Sequence, residues 1–175
     1  MRPPVTGKKI ESLMAALGRA ATGPGAIFFT GGVTALLHGW RETTIDIDLK
    51  ARPEPSGFFE ALADLKEREN VNIELASPDD FIPELPGWRE RSLFIGRHGE
   101  IDFYHYDPYA QALAKIERGH ARDRDDVTSM IEAGLVDRGK LRELFSQIEP
   151  GLIRYPAVDA GVFRRALERV LGEQT

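Results

Sequence analysis

Cysteine is absent from the 175 residues, which excludes disulfides, thiolate metal sites and a cysteine nucleophile, and accords with a reducing compartment. No run approaches 18 uninterrupted apolar residues, and the amino terminus, MRPPVTGKK, lacks the apolar segment of a signal peptide. A cytoplasmic protein with no membrane association is therefore expected. A basic excess is missing too: 23 Lys and Arg stand against 28 Asp and Glu, a formal charge of −5, which argues against wholesale coating of nucleic acid. His38, His98, His105 and His120 show no paired ligand spacing, so no zinc site is expected.

What is present suffices for one real core and a small appended bundle, since 42% of the residues are hydrophobic. Charge is unevenly spread. Residues 1–108 hold 12 basic and 17 acidic side chains, whereas residues 109–175 hold 11 of each. The acidic excess thus falls in the first part, as carboxylates gathered around cations would make it.

Ile10, Leu13, Met14 and Leu17 follow helical spacing, and TGPG ends that helix. AIFFT reads as a short buried strand. After the Gly31-Gly32 pair, Val33, Leu36, Leu37 and Trp40 restore helical spacing. TTIDIDLK alternates: Ile45, Ile47 and Leu49 share one face of a strand, Asp46 and Asp48 the other. Ser56 is placed to cap a helix carrying Phe58, Phe59, Leu62 and Leu65. VNIELA alternates again, with Asn72 and Glu74 opposite Val71, Ile73 and Leu75. SPDDFIPELPGW reads as an ordered connector built on Phe81, Ile82, Leu85 and Trp88. SLFIGRHGEIDFYHYD reads as a hairpin turning at GRHG and returning through Asp102, flanked by Ile101 and Phe103. From Pro108 onward the pattern is helical. The expected fold class is α+β: a mixed sheet of about four or five strands packed with helices over 1–108, then a helical carboxy-terminal part over 109–175.

Two carboxylates two apart on a strand point the same way, their Cα atoms about 6 to 7 Å apart. Asp46 and Asp48 are therefore able to converge on one or two divalent cations. Mg2+, or Mn2+ in its place, suits them, because a hard cation takes one or two carboxylates and fills its shell with waters and phosphate oxygens. A third carboxylate from a neighbouring strand completes a two-metal clamp. Asp102 is the candidate and Glu74 the alternative. The glycine turn lets a phosphate approach backbone N–H groups at the positive end of a helix. Together the two elements supply the positioning and charge neutralisation that phosphoryl transfer needs.

This joint order, apolar strand, Gly-Gly, helix, Asp-x-Asp and a later apolar-Asp-apolar strand, resembles the nucleotidyltransferase superfamily, the fold shared with polymerase β. Gly31, Gly32, Asp46 and Asp48 in TGGVTALLHGWRETTIDIDL fall on its signature, and Asp102 in EIDFY matches its third acid. The form RETTIDIDL looks most like the minimal nucleotidyltransferases and the abortive-infection toxins of toxin-antitoxin systems. The resemblance covers residues 26–50 specifically and 93–126 loosely. Where many members carry Ser as the second turn residue, Gly32 offers no hydroxyl.

The resemblance implies that Asp46, Asp48 and Asp102 bind two magnesium ions and that the glycine turn contacts a nucleoside triphosphate. Arg41 and Thr43 lie close enough in sequence to touch phosphate or ribose. A softer match in LAKIERGHARDRDDV sets Lys115 to neutralise phosphate, followed by Arg122, Asp123 and Asp126, with Asp123 orienting the lysine or accepting a proton. The same residues also read as a solvated helix face of i, i+4 pairs. The implied reaction moves NMP from an NTP to a protein or tRNA acceptor, with a cognate toxin or antitoxin as a further partner. The rival reading is a non-catalytic nucleotide- or partner-binding module of the same fold. A metal-dependent phosphoesterase would need a water-activating base that the sequence does not display.

Overall fold

The computed structural model describes residues 2–172. In chain order its elements are α1 (Gly7–Ala20), β1 (Gly25–Thr30), α2 (Gly32–His38), β2 (Asp46–Ala51), α3 (Phe58–Arg68), β3 (Asn72–Leu75), a 3-10 turn (Pro78–Asp80), α4 (Trp88–Arg91), β4 (Leu93–His98), β5 (Ile101–His105), α5 (Pro108–Arg118), α6 (Ala121–Glu132), α7 (Arg138–Ile148), a second 3-10 segment (Glu149–Arg154) and α8 (Ala160–Gly172). They form two compact units, Met1–Ser77 with Ser92–Tyr106, and Pro78–Arg91 with Asp107–Thr175. The α+β class with a helical carboxy-terminal part is what the alternating and helical patterns dictate.

The first unit is built on a five-stranded sheet in the order β3-β2-β1-β5-β4. The sheet is mixed, because β1 runs antiparallel to β2 but parallel to β5, while β2 and β3 are parallel and β4 and β5 antiparallel. Strand alternation then sorts the side chains. Ile27 and Phe29, Ile47 and Leu49, Ile73, and Ile101 and Phe103 share a core with Ile10, Leu13, Met14 and Leu17 of α1 and Phe58, Leu62 and Leu65 of α3. Each such side chain withdrawn from water stabilises the fold by roughly 1.5 to 3 kcal/mol. Asp46, Asp48, Asn72 and Glu74 fall on the opposite, polar face.

Three local expectations are corrected. Ile45 does not join the core face, since β2 begins at Asp46 and leaves Ile45 64% exposed. Ser56 does not cap α3: Gly57 is the N-cap, without a side-chain bond, and the Ser56 carbonyl instead accepts from the Thr22 N–H. The hairpin turn lies two residues later than GRHG, at Gly99-Glu100, because β4 continues through His98 with a register shift between Phe94 and Gly96. Ahead of α1, Thr6 accepts at its hydroxyl from the Lys9 N–H, and Val5 pairs with Thr44 in an antiparallel bridge. That bridge, closed by backbone bonds of 2.6 and 3.0 Å, fixes the segment entering β2.

In the second unit, Asp107 caps α5 by accepting from the Tyr109 N–H, and Asp137 caps α7 by accepting from the Lys140 N–H. Asp107 also takes two bonds from the Arg91 guanidinium at 2.7 and 3.0 Å, tying α4 to the start of α5. Burial raises the Asp107 carboxyl above its ordinary range, with the Arg91 bonds and charge pulling the other way. Ile82, Leu85 and Trp88 of the connector are buried as expected, although Phe81 is 56% exposed. Phe145 and Phe163 meet edge to face, joining α7 and α8. Among the described residues no helix is long and apolar enough to cross a membrane.

Candidate functional site

Strand register decides which carboxylates stand together. Asp46 lies opposite Asn72 and Asp48 opposite Glu74 on the adjacent parallel strand, so Asp48 and Glu74 share a face across one strand spacing of about 4.8 Å. The Asn72 amide draws the group closer: its Nδ2 donates to Asp46 Oδ1 at 2.7 Å and to Glu74 Oε1 at 2.9 Å. Asp46 and Glu74 are exposed and Asp48 is half-buried.

The glycine turn adjoins these acids. Gly31 has φ +62°, a backbone conformation that favours glycine, and a Cβ there would lie 3.2 Å from Asp48 Oδ2. At Gly32 a Cβ would overlap the Thr44 hydroxyl, with Arg41 Nη1 3.6 Å away. Thr44 thus fills the space that a larger residue at position 32 would need. The missing hydroxyl at Gly32 has a steric cause, and a threonine hydroxyl stands beside it.

Asp102 does not join the acids. It lies in the row of Ala26, whereas Asp48 lies in the row of Thr30. Four residues of strand separate those rows, about 13 Å, and β1 stands between β2 and β5. The Asp102 carboxylate instead faces Arg97, with 3.8 Å between Oδ1 and Nε. The convergence expected of Asp46, Asp48 and Asp102 is therefore not found, and Glu74 occupies the neighbouring position. Thr43 is exposed in the segment leading into β2, and Arg41 is half-buried.

Lys115 and Asp123 belong to the second unit. Lys115 is 8% exposed, and its Nζ donates to Asp126 Oδ2 at 2.8 Å and stands 3.7 Å from Asp123 Oδ1. Asp123 is gripped by Arg118 at 2.5 and 2.7 Å and caps α6 by accepting from the His120 N–H. Burial pushes its carboxyl up, but the Arg118 bonds, the Arg118 and Lys115 charges and the His120 N–H together hold it below the ordinary range. Asp126 is the closer carboxylate to the lysine. Arg122 is exposed on the same helix. The surface-face reading of Lys115, Asp123 and Asp126 is corrected: all three are buried.

His105 is buried, with Nδ1 3.0 Å from the Thr34 hydroxyl, and its ring lies 4.5 Å from that of His38. Burial and, second, the His38 charge push the His105 pKa down to about 3. Among the described residues, no group of three His, Asp or Glu side chains is placed to hold a metal ion. Asp46, Asp48 and Glu74 offer oxygen donors alone on an accessible face, the donor chemistry that a hard divalent cation takes. Such an ion needs few protein ligands and takes the rest from water and phosphate.

A family model described as "Nucleotidyltransferase of unknown function (DUF6036)" matches residues 8–154. No curated protein and no solved structure matches the chain significantly. The matched span contains the glycine turn, the paired aspartates, Glu74 and the Lys115 network, and with it the chain belongs to this nucleotidyltransferase family.

Proposed function

We propose that the chain transfers a nucleoside monophosphate from an NTP to an acceptor hydroxyl, with Mg2+ or Mn2+ as cofactor. One observation carries the reading: the register that pairs Asp48 with Glu74 while Gly31 lies against the Asp48 carboxylate. Asp46 and Asp48 would hold the cation, with Glu74 of the neighbouring strand in the part expected of Asp102. When bound, the cation neutralises phosphate charge and acidifies a coordinated hydroxyl. Gly31 and Gly32 leave room for phosphate oxygens beside the backbone, and Arg41 brings a positive charge to the same place. The acceptor oxygen forms a bond to the α-phosphorus, the bond from that phosphorus to the bridging oxygen breaks, pyrophosphate leaves, and the hydroxyl proton passes to solvent.

For the acceptor we favour a protein side chain or the end of a transfer RNA, in a cytoplasmic toxin-antitoxin setting. The equal counts of acidic and basic residues over 109–175 support a small acceptor contact over a long RNA footprint. Lys115 is matched in charge by Asp126 and Asp123, which supports a first role in tying α5 to α6. The test uses NTPs labelled at the α- or γ-phosphate, incubated with the protein, magnesium and cell extract. Label from the α-position is expected in a macromolecule and label from the γ-position in pyrophosphate. Nucleotide binding with no transfer would favour the non-catalytic module, and γ-label on a macromolecule would contradict both.

A further inference from the structure

We propose, on the transfer reading above, that the acceptor is the single-stranded end of a nucleic acid, and that it docks along the β4 edge with a base on Phe94 and a phosphate on Arg97. A β-bulge brings these two side chains together. Phe94 lies opposite Tyr104 and Arg97 opposite Asp102, although strict alternation sets residues three apart on opposite faces. The register shift between Phe94 and Gly96 absorbs one residue, Ile95, which packs against the core. Phe94 and Arg97 then share the face of Tyr104, Phe28 and Asp48.

Stacking needs a ring that is held in place and open on one side. Phe94 is 61% exposed, meets Tyr104 edge to face at 5.6 Å, and Tyr104 in turn stacks on the buried Phe28 at 5.0 Å. The Arg97 side chain is 60% exposed. Its Nε lies 3.4 Å from the Gly99 carbonyl and 3.8 Å from Asp102 Oδ1; both contacts use Nε, which leaves the Nη pair for an anion. A lone exposed phenylalanine is ordinary. An apolar partner covering this one would strand the guanidinium beside it, whereas a single strand offers a base to the ring and a phosphate to the cation. Paired bases stack on each other and present no free face, which restricts the surface to an unpaired end. Distance separates this base from that of the NTP. Phe94 stands three strand spacings from β2 and one side-chain step along the strands, about 16 Å from Asp48 in all. That exceeds the reach from phosphate to base within one nucleotide and suits a base a few nucleotides back from an acceptor end at the acids.

The test is fluorescence anisotropy of a short, end-labelled single-stranded RNA with the full chain in chelator, repeated with the annealed duplex and across a salt series. Wild type is expected to bind the single strand more tightly than the duplex. Phe94→Ala should weaken single-strand binding by about tenfold or more, and Phe94→Trp should keep it. Arg97→Gln should lower the salt slope by about 0.7, the share of one phosphate contact. Wild-type binding by Phe94→Ala, or duplex bound as well as single strand, would overturn the proposal. Label from the NTP α-phosphate passing to protein, with no RNA bound, would also overturn it and leave the transfer reading standing. Phe94-dependent RNA binding with no label transferred would keep the strand-binding surface and overturn the transfer reading instead.

Discussion

Asp48 and Glu74 face each other across adjacent parallel strands, and the Asp48 carboxylate also lies against Gly31. On the proposed function, a cation bound beside them would offset the repulsion between like charges. Magnesium and a non-hydrolysable NTP analogue, added together, should stabilise the fold by about 2.7 kcal/mol at a hundredfold excess over Kd and so raise the melting temperature. Asp48→Asn should lose that rise while folding as wild type in chelator, as differential scanning fluorimetry will show.

Gly32 and Thr44 compete for one space. Gly32→Ser should destabilise the protein by about 1 to 3 kcal/mol, the usual cost of overpacking. Thr44→Ala in the same chain should recover much of it, because the overlapping hydroxyl is gone. Urea denaturation of the two single variants and the double variant measures the coupling.

His105 makes stability depend on pH. Its folded pKa of about 3 lies below the ordinary 6.5, so the native state prefers the neutral ring. The stabilisation is complete above pH 6.5 and is lost progressively as pH falls toward 3, at about 1.4 kcal/mol per unit. By pH 5 the loss is about 2 kcal/mol. His105→Gln should flatten this dependence between pH 7 and 5, and thermal melts across that range report it.

Lys115 and Asp126 form a buried pair between α5 and α6. Breaking it by Asp126→Ala leaves a buried ammonium with a weaker partner and should cost about 3 kcal/mol. The combined Lys115→Met and Asp126→Leu should recover most of that stability. Guanidinium denaturation distinguishes the two.

Local pattern made most of the framework legible. The Gly31-Gly32 break between an apolar strand and a helix, and the alternation of Asp46 and Asp48 with Ile47 and Leu49, depend on chain neighbours alone and appear in place. The third acid depended on something else. NIEL and EIDFY both present an acid between apolar residues, and only sheet order, with β3 beside β2 and β5 beyond β1, puts Glu74 rather than Asp102 next to Asp48. Thr44 was hidden for a similar reason, since its place is set by the bridge to Val5, far back in the sequence. Asn72 was visible as a polar strand residue, but its bonds to Asp46, Glu74 and Arg2 are products of register. Lys115 sits in a run that reads as surface charge, and helix packing turned it inward.

The most direct test compares Glu74→Gln with Asp102→Asn in magnesium-dependent transfer of α-labelled nucleotide. Glu74→Gln should lower the rate by about a hundredfold or more, as loss of a group stabilising transition-state charge does, and Asp102→Asn should stay near wild type. Full activity in Glu74→Gln together with loss in Asp102→Asn would contradict the account.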